Sequence, residues 1–364
     1  MAQNLTSGGL RHNLYREVLQ VMESGVDLDD ELFDDLAMRI FRYQLSTNNV
    51  YRGYFEASRI NAPKSWQHIP ALPAAAFKRG EVRAYPPEAV MTWFQTSGTT
   101  SDESGRHYFE TLELYETAIL PPFKKFLLPD RERMRMVILT PPPADMPHSS
   151  LVHMMETVKN HYGTHDSQYS FTVEGILLNE FVDNLQDATA RQQPVFLLGT
   201  AFAFAHALEI LTQQGIRFNL PFGSRIMETG GFKGRTREIP RAEFYAMLSE
   251  AFTIPLFNIV NEYGMTELSS QFYDRSLLDQ RATDWKSGPT WCRIAAVSPE
   301  TGQPVPEGEA GLLRIYDLAN VGSTICLQTE DVGIVNGDGD FKVFGRVATA
   351  PLRGCSLSTE TLLT

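Results

Sequence analysis

A repeated pattern in the middle of the chain constrains its fold most strongly. Short apolar runs end in small or hydroxyl residues, and stretches with helical patterning follow most of them. The clearest case is "PVFLLGTAFAFAHALEIL", which predicts a strand ending at Gly199 and Thr200 and then a helix. The runs "RMVILTPPP", "RIMETGGFKG" and "PLFNIVNEYGMTE" repeat the arrangement. Alternating strands and helices predict an α/β fold that binds ligands where strand ends meet loops.

The two ends of the chain differ from this middle section. Residues 13–46 predict two helices, the second with an apolar stripe at helical spacing. The stripe consists of Leu32, Leu36, Met38, Ile40 and Phe41. Near residue 285 the helical signal stops, and "AGLLRIYDL" and "VGIVNGDGDFKVFGR" alternate around Gly-Asp turns. This pattern predicts a small antiparallel β section at the carboxyl end.

These changes of pattern predict three parts of one large catalytic unit. Residues 1–90 form an amino-terminal helical segment packed on the core. Residues 91–284 form an α/β core that binds nucleotide and acyl group, and residues 285–364 form the β section and a tail.

Composition and charge exclude several classes of function. The 364 residues are 43% hydrophobic, enough for a large core, and the formal net charge is −12 without a long basic run. Nucleic acid and anionic membranes are therefore poor partners. The three cysteines form no CxxC or close pair, which argues against a disulfide framework or zinc site. The polar start and the absence of a long apolar run lead us to expect a cytoplasmic protein.

The loop "TSGTTSDESG" places four hydroxyl residues around Gly98 and follows apolar residues, so it is expected to connect two strands. Backbone N–H groups and hydroxyls in such a loop can hold phosphate oxygens. It is not a Walker A loop, because Arg106 stands where that motif requires lysine. The residues alone leave an ordinary turn and an anion site equally open.

Two later stretches offer further chemistry. "NEYGMTELSSQFYD" follows an apolar run and brings Tyr263, Thr266 and Glu267 onto one loop, with an aromatic face, a hydroxyl and a carboxylate. Such groups suit base stacking, a phosphate contact and Mg²⁺ binding. "TEDVGIV" carries Asp331, which could accept ribose hydroxyls or serve only its own turn.

In this order, "TSGTTS", "ETGGFKG", "EYGMTE", "TEDVG" and "GRV" resemble the ordered motifs of the adenylate-forming enzymes, which include acyl-CoA ligases and luciferases. The segments "AMRIFRYQLSTNNVYRGY", "IPALPAAAFKRGEV" and "LRGCSLSTE" extend the resemblance over the whole chain to the LuxE-type acyl-protein synthetases. The resemblance implies the large-domain α/β sheets of that superfamily with a small carboxyl-terminal β section.

The resemblance also implies roles for individual residues with ATP and Mg²⁺. It assigns Glu267 to Mg²⁺, Thr266 to the α-phosphate, and Asp331 and Arg346 to ribose. The β- and γ-phosphates would be held by Thr96, Ser97, Gly98, Thr99 and Thr100. Adenine would be bordered by Gly230, Gly231, Tyr263 and Gly264. The acyl pocket would be lined by Gly199, Thr200 and Phe202, whose alternative is a plain apolar core.

The sequence departs from the superfamily at its carboxyl end. The mobile lobe with a catalytic lysine is expected to be absent, and Ala348 stands near the usual hinge residue. The resemblance gives Cys355 the role of acyl-accepting nucleophile, and the neighbouring Arg353 would lower the pKa of its thiol or assist adenylation. Taken alone, the single residue Cys355 favours a tail cysteine with no role. Cys292 and Cys326 lie in apolar, strand-like contexts and are expected to be buried and unreactive.

The resemblance leads to a hypothesis of function with two alternatives. In the hypothesis, ATP activates a carboxylic acid, expected to be fatty, as acyl-AMP; the acyl group moves to Cys355 and then to a partner, a reductase or a carrier protein. An aryl acid would suit a pocket lined by Phe202 and Phe204. The alternatives are direct transfer to coenzyme A or a carrier thiol, and a nucleotide-binding subunit without adenylation activity.

Overall fold

The computed structural model of the chain describes residues 7–96, 104–230 and 239–346. The described residues form two compact units. Of the described residues, the first unit draws on 7–96, 104–121, 265–270 and 287–346, and the second on 122–230, 239–264 and 271–286. The division into three parts with boundaries near residues 90 and 285 remains a prediction. Within the described ranges, no helix has both the length and the apolar content needed to cross a membrane.

The first unit begins with three long helices, of which the sequence predicts two. They are Ser7–Ser24, Asp30–Thr47 and Asn49–Ser58. Asp29 caps the second helix by accepting the Leu32 N–H at 2.8 Å. The third helix follows at once because Asn48 ends one helix and its side chain accepts the Tyr51 N–H of the next.

The predicted apolar stripe of the second helix is wrong at one position. Leu32 is 48% exposed, whereas Phe33 is fully buried beside the other stripe positions. The acidic residues Asp30 and Glu31 lie in the first helical turn, where negative charge is favourable. These two acidic residues therefore belong to the start of a helix.

The strands of the first unit confirm the antiparallel section expected at the carboxyl end. Four strands pair in chain order: Cys292–Val297, Gly311–Asp317, Cys326–Val335 and Phe341–Arg346. Leu72–Pro73 adds a short parallel pairing to the third of them. Thr92–Gln95 and Arg106–Phe109 form a separate antiparallel hairpin, which confirms that the hydroxyl-rich loop connects two strands. The shorter elements are Trp66–His68, Ala76–Arg79, Pro87–Ala89 and Leu318–Asn320.

The second unit is the α/β sheet that the repeated pattern predicts. Its parallel strands are, in spatial order, Gln168–Tyr169, Arg135–Leu139, Val195–Thr200, Arg225–Thr229 and Ile259–Tyr263, and Phe272–Asp274 pairs antiparallel to the last. Phe171–Thr172 and Gly175–Ile176 form a small hairpin. The helices are Ser150–Tyr162, Leu178–Ala190, Ala201–Gln213 and Arg241–Phe252, with a short turn at Leu256–Asn258. Glu113–Leu127 and Lys286–Ser287 span the division between the units.

The core of the second unit explains why its strands read as continuous apolar runs. Leu139, Leu197 and Ile226 come from three neighbouring strands and pack with Phe204 and Leu248 of two helices. All five side chains are fully or almost fully buried. This packing fixes the strand ends on which the predicted ligand residues lie.

Candidate active site

The hairpin formed by Thr92–Gln95 and Arg106–Phe109, here called the loop stem, closes the hydroxyl-rich loop. Thr96 and Gly105 exchange two bonds of 2.9 Å: the Thr96 N–H donates to the Gly105 carbonyl, and the Gly105 N–H donates to Thr96 Oγ1. Thr96 is only 3% exposed. Its hydroxyl therefore fixes the neck of the loop, although a hydroxyl that accepts one bond can still donate another.

Gly105 has a packing requirement of its own. A Cβ at this position would lie 2.5 Å from the Phe77 carbonyl oxygen and 2.9 Å from the Lys78 nitrogen. The loop stem thus rests directly on the backbone of the Ala76–Arg79 turn. The other predicted phosphate residues, Ser97, Gly98, Thr99 and Thr100, lie outside the described residues, and their roles remain predictions.

Residues 265–270, here called the motif segment, carry Thr266 and Glu267 and belong to the same unit as the loop stem. Two bonds at Thr266 join the segment to the stem. Thr266 Oγ1 donates to the Gln95 carbonyl at 3.3 Å, and His107 Nδ1 lies 2.7 Å from the Thr266 carbonyl oxygen. The structure therefore brings the predicted α-phosphate residue to the strands that carry the predicted phosphate loop.

The downstream end of the motif segment is held by the Gly311–Asp317 strand and the turn after it. The buried Asp317 carboxylate accepts the N–H groups of Ser269 and Ser270, each at 3.0 Å. Asn320 Nδ2 donates to the Glu267 carbonyl at 3.0 Å. Backbone bonds on both sides thus fix the Thr266–Glu267 dipeptide before any ligand binds.

Glu267 is a half-buried carboxylate whose charge is incompletely compensated. Burial raises its pKa to about 7, while the positive charges of Arg346 and Lys78 act in the opposite direction and Glu330 adds a further increase. Among the described residues, no cation lies within ion-pair distance of this carboxylate. A group in this state gains from a bound cation, because the cation replaces lost hydration.

The donor set around Glu267 fits Mg²⁺ and does not fit a metal held by protein alone. The described residues contain no cluster of three or more His, Cys, Asp or Glu side chains. Mg²⁺ commonly takes one or two protein carboxylates and completes its shell with substrate phosphates and water. Glu267 would supply the carboxylate.

Asp331 and Arg346, the two predicted ribose residues, face each other across neighbouring antiparallel strands. Arg346 Nε lies 3.2 Å from Asp331 Oδ1. Asp331 is 5% exposed, whereas half of the Arg346 side chain is accessible. The structure brings the pair together, and the charge of Arg346 acts on Glu267; the contact of the pair with ribose remains a prediction.

The second unit collects the predicted adenine-side and acyl-pocket residues at the carboxyl ends of its parallel strands. Thr200 pairs in register with Thr229, and Thr229 with Glu262, so Gly230 and Tyr263 follow at neighbouring strand ends. Gly230 has φ of 78°, which favours glycine. Gly231 lies outside the described residues.

Of the three predicted acyl-pocket residues, two have structural tasks. A Cβ at Gly199 would lie 2.9 Å from the Cβ of Leu139, so the strand needs glycine for packing. Thr200 caps the Ala201–Gln213 helix by accepting the Ala203 N–H at 3.1 Å. Phe202 is partly exposed, but Phe204 is fully buried in the core. Phe202 is therefore the better candidate to contact an acyl group.

A buried carboxyl group explains the glycine of "EYGMTE". Glu262 accepts a hydrogen bond from the Thr229 hydroxyl, and burial raises its pKa to about 7. A Cβ on Gly264 would overlap Glu262 Oε1. Any larger residue would thus displace the Glu262 side chain, which folds back over the start of the loop.

We expect Gly264→Ala to destabilise the protein by about 1–3 kcal/mol, because the new methyl group displaces the Glu262 carboxyl from Thr229. Chemical denaturation measures the change. In a Glu262→Ala background the same substitution should cost much less, since the overlapping atoms are gone. Equal costs in the two backgrounds would contradict this explanation.

A buried charged network supports the same strand ends. Asp274 is fully buried; it accepts from Lys286 Nζ at 2.7 Å and from the Asn261 N–H at 2.9 Å, and it also pairs with Arg241. Lys286 also donates to the Asn261 side chain. Lys286 is committed to this network and holds the Ile259–Tyr263 strand in place.

Two of the three cysteines are buried, as their apolar sequence contexts predict. Cys292 and Cys326 are buried, and burial raises the pKa of both thiols, that of Cys326 to about 12. Neither forms a thiolate readily near neutral pH. Cys355 and Arg353 lie outside the described residues, so the nucleophile assignment remains a prediction.

No sequence pattern predicted His107, Asp317 and Asn320, which hold the motif segment. Their bonds to it join residues 159, 48 and 53 positions apart in the chain. No local pattern encodes such pairings. The one available signal was the histidine directly after the glycine-rich loop, within "GRHYFE".

His107 should make the protein sensitive to acid. Burial lowers its pKa from 6.5 to about 4, so the unfolded chain binds this proton first as the pH falls. Stability is therefore lost between pH 6.5 and about 4, by about 3 kcal/mol, and is unaffected by this group above that window. In denaturation measured across the window, His107→Phe should lose less stability than the native protein, while the exposed control His68→Phe should match it.

Comparison with known proteins gives the family that the motifs of this chain resemble. The family described as "Acyl-protein synthetase, LuxE" matches residues 5–364. A curated relative, the long-chain-fatty-acid–luciferin-component ligase of Aliivibrio fischeri, is 24% identical over 349 residues, which cover 92% of this chain and 89% of the relative.

Several solved structures are similar in fold to this chain. A 2-hydroxyisobutyryl-CoA ligase in complex with 2-HIB-AMP and CoA has a TM-score of 0.64 and 14% identity, over 87% of this chain and 68% of that one. ATP-bound MatB from Rhodopseudomonas palustris has a TM-score of 0.47 and 16% identity, and the match covers 72% of this chain. The match covers 49% of MatB, about half its length. The fold resemblance to the first of these confirms the α/β class.

Proposed function

The chain belongs to the acyl-protein synthetase family LuxE, and from this premise we propose that it joins a long-chain fatty acid to AMP and then to a protein thiol. Membership makes it an enzyme of the ligase class that uses ATP. The observation that carries the proposal is the fixed Thr266–Glu267 dipeptide, which is tied to the loop stem with Arg346 and Asp331 close by.

In the first step, a carboxylate oxygen of the acid attacks the α-phosphorus of ATP, and the bond to the β-phosphate breaks. The products are acyl-AMP and pyrophosphate. The Thr266 hydroxyl would turn from the Gln95 carbonyl to donate to the α-phosphate, and Arg346 would orient the ribose together with Asp331. Mg²⁺, held by Glu267, would neutralise charge on the phosphates.

In the second step, the Cys355 thiolate attacks the acyl carbonyl, and the bond to AMP breaks. AMP leaves, and a thioester on the protein remains. We propose that a reductase or carrier protein then takes the acyl group. Coenzyme A is the alternative acceptor, and the A. fischeri relative's name supports the fatty acid over an aryl acid.

The test is to incubate the purified protein with ATP, Mg²⁺ and a panel of fatty and aryl acids, and to record pyrophosphate release and intact mass. A long-chain fatty acyl increment that hydroxylamine removes is the expected result. Pyrophosphate without the increment would move the thioester step to coenzyme A or a partner thiol. Nucleotide binding without either signal would overturn the proposal and favour a subunit without adenylation activity.

A further inference from the structure

His107 is a buried titratable group for which the proposed chemistry has no task. It lies on the first strand after the hydroxyl-rich loop and is 1% exposed. Its ring packs against Phe77 at 5.4 Å and Phe109 at 4.2 Å between centroids. A histidine in such surroundings is costly unless its polar atoms are used.

The used atom is Nδ1, which lies 2.7 Å from the Thr266 carbonyl oxygen. A carbonyl oxygen only accepts, so Nδ1 carries the proton and donates. The bond therefore requires the Nδ1–H form of the ring, which a neutral imidazole supplies.

The loop stem holds Thr266 from both of its strands. Phe94 pairs in register with His107, and Gln95 with Arg106. Gln95 accepts from the Thr266 hydroxyl, while His107 donates to the Thr266 carbonyl. The predicted β,γ-phosphate loop and the predicted α-phosphate residue thus share one support.

The far side of the dipeptide is anchored independently. The Asn320 side chain donates a hydrogen bond to the Glu267 carbonyl, and the Asp317 carboxylate accepts the N–H groups of Ser269 and Ser270. If the His107 bond is removed, the link from the segment to the loop stem through the Thr266 backbone is lost, and the 3.3 Å bond from the Thr266 hydroxyl to Gln95 stays. Thr266 and Glu267 would then be held less firmly relative to the loop stem than to Asp317 and Asn320.

We propose that His107 is a positioning residue that couples the phosphate-loop stem to the Thr266–Glu267 dipeptide through the Thr266 carbonyl. The inference rests on the proposed function and adds to it a residue that sets the geometry between phosphate loop and metal carboxylate. His107 acts through Thr266 and touches no substrate in this account.

The test compares two substitutions with a control. His107→Phe keeps an aromatic ring and removes the donor, whereas His107→Asn places an amide N–H near the position of Nδ1. His68→Phe removes an exposed histidine of the same unit that bonds only locally, to Ser65.

We expect His107→Phe to lower the kcat of acid-dependent pyrophosphate exchange about 10- to 100-fold and to raise the Mg²⁺ concentration for half-maximal rate. The KM for the acid should stay unchanged. His107→Asn should restore most of the rate, and His68→Phe should behave as the native protein. Native kinetics in His107→Phe, or equal losses in both His107 variants, would overturn the inference.

Amide hydrogen exchange supplies a readout that does not depend on activity. Peptides that cover the motif segment should exchange faster in His107→Phe than in the native protein or His107→Asn, while the loop-stem strands keep their protection. If the native protein shows no pyrophosphate exchange, the proposed function fails. The hydrogen-exchange comparison still tests whether the bond from His107 to the Thr266 carbonyl holds the motif segment. Unchanged exchange in the segment would refute it.

Discussion

Replacing Glu267 with glutamine is expected to lower the rate of pyrophosphate exchange about 10²- to 10³-fold, because the substitution removes the charge that would hold Mg²⁺. Glutamine has the same shape, and a neutral group is easier to bury than a carboxylate. The unfolding midpoint should therefore stay the same or rise slightly. Loss of rate with an intact fold separates a metal role from a structural one.

The matched control is Glu330→Gln, because Glu330 is exposed and acts on Glu267 only through its charge. It should leave the rate within about 2-fold, the size expected for a screened surface charge. Since the pKa of Glu267 is raised to about 7, protons compete with metal below neutrality. The Mg²⁺ requirement of the native protein should fall as the pH rises through 7. A Glu267→Gln protein with the native rate would remove this residue from the site.

Replacing Cys355 with alanine has the second large expected effect, which is the loss of acyl labelling without loss of adenylation. The thiol acts only after acyl-AMP has formed, so pyrophosphate exchange should stay near the native rate. Labelling with radioactive fatty acid, followed by peptide mapping, measures the second step. We expect at least about a 100-fold decrease in labelling, because the two described thiols, those of Cys292 and Cys326, do not form thiolates readily.

Cys292 and Cys326 provide the internal control for this experiment. Both are buried with raised thiol pKa values, so neither should carry label in the native protein or in Cys355→Ala. Label that persists at either position would contradict the assignment of Cys355. Loss of pyrophosphate exchange together with labelling would show that Cys355 serves the first step or the fold.

Periodicity predicted the architecture because it is a local property of the chain. The Val195–Thr200 strand and the Ala201–Gln213 helix follow directly from an apolar run, a threonine cap and helical spacing. The antiparallel strands around the Gly-Asp turn near residue 338 follow from alternation and turn chemistry. The third amino-terminal helix was missed. Asn48 ends the second helix and caps the start of the third, so no loop in the sequence separates the two helices.

The site was predictable only in its parts. Motif order predicts roles for Glu267, Asp331 and Arg346, but the bonds that hold them depend on contacts between distant segments. Gly264 could be recognised as part of a motif, yet the need for glycine there comes from the Glu262 side chain and the Thr229 hydroxyl on a neighbouring strand. Likewise, only the structure shows that Gly199 packs against Leu139 and that Thr200 caps a helix, and their place in an acyl pocket remains a prediction.

The central claim is that the chain itself forms an acyl-adenylate, and acid-dependent exchange of labelled pyrophosphate into ATP measures this most directly. The reverse of the first step produces the signal, so no partner protein and no thiol acceptor are needed. We expect exchange that requires Mg²⁺ and a long-chain fatty acid and that falls about 10²- to 10³-fold in Glu267→Gln. Absence of exchange with every fatty and aryl acid, in protein that binds ATP, would contradict it.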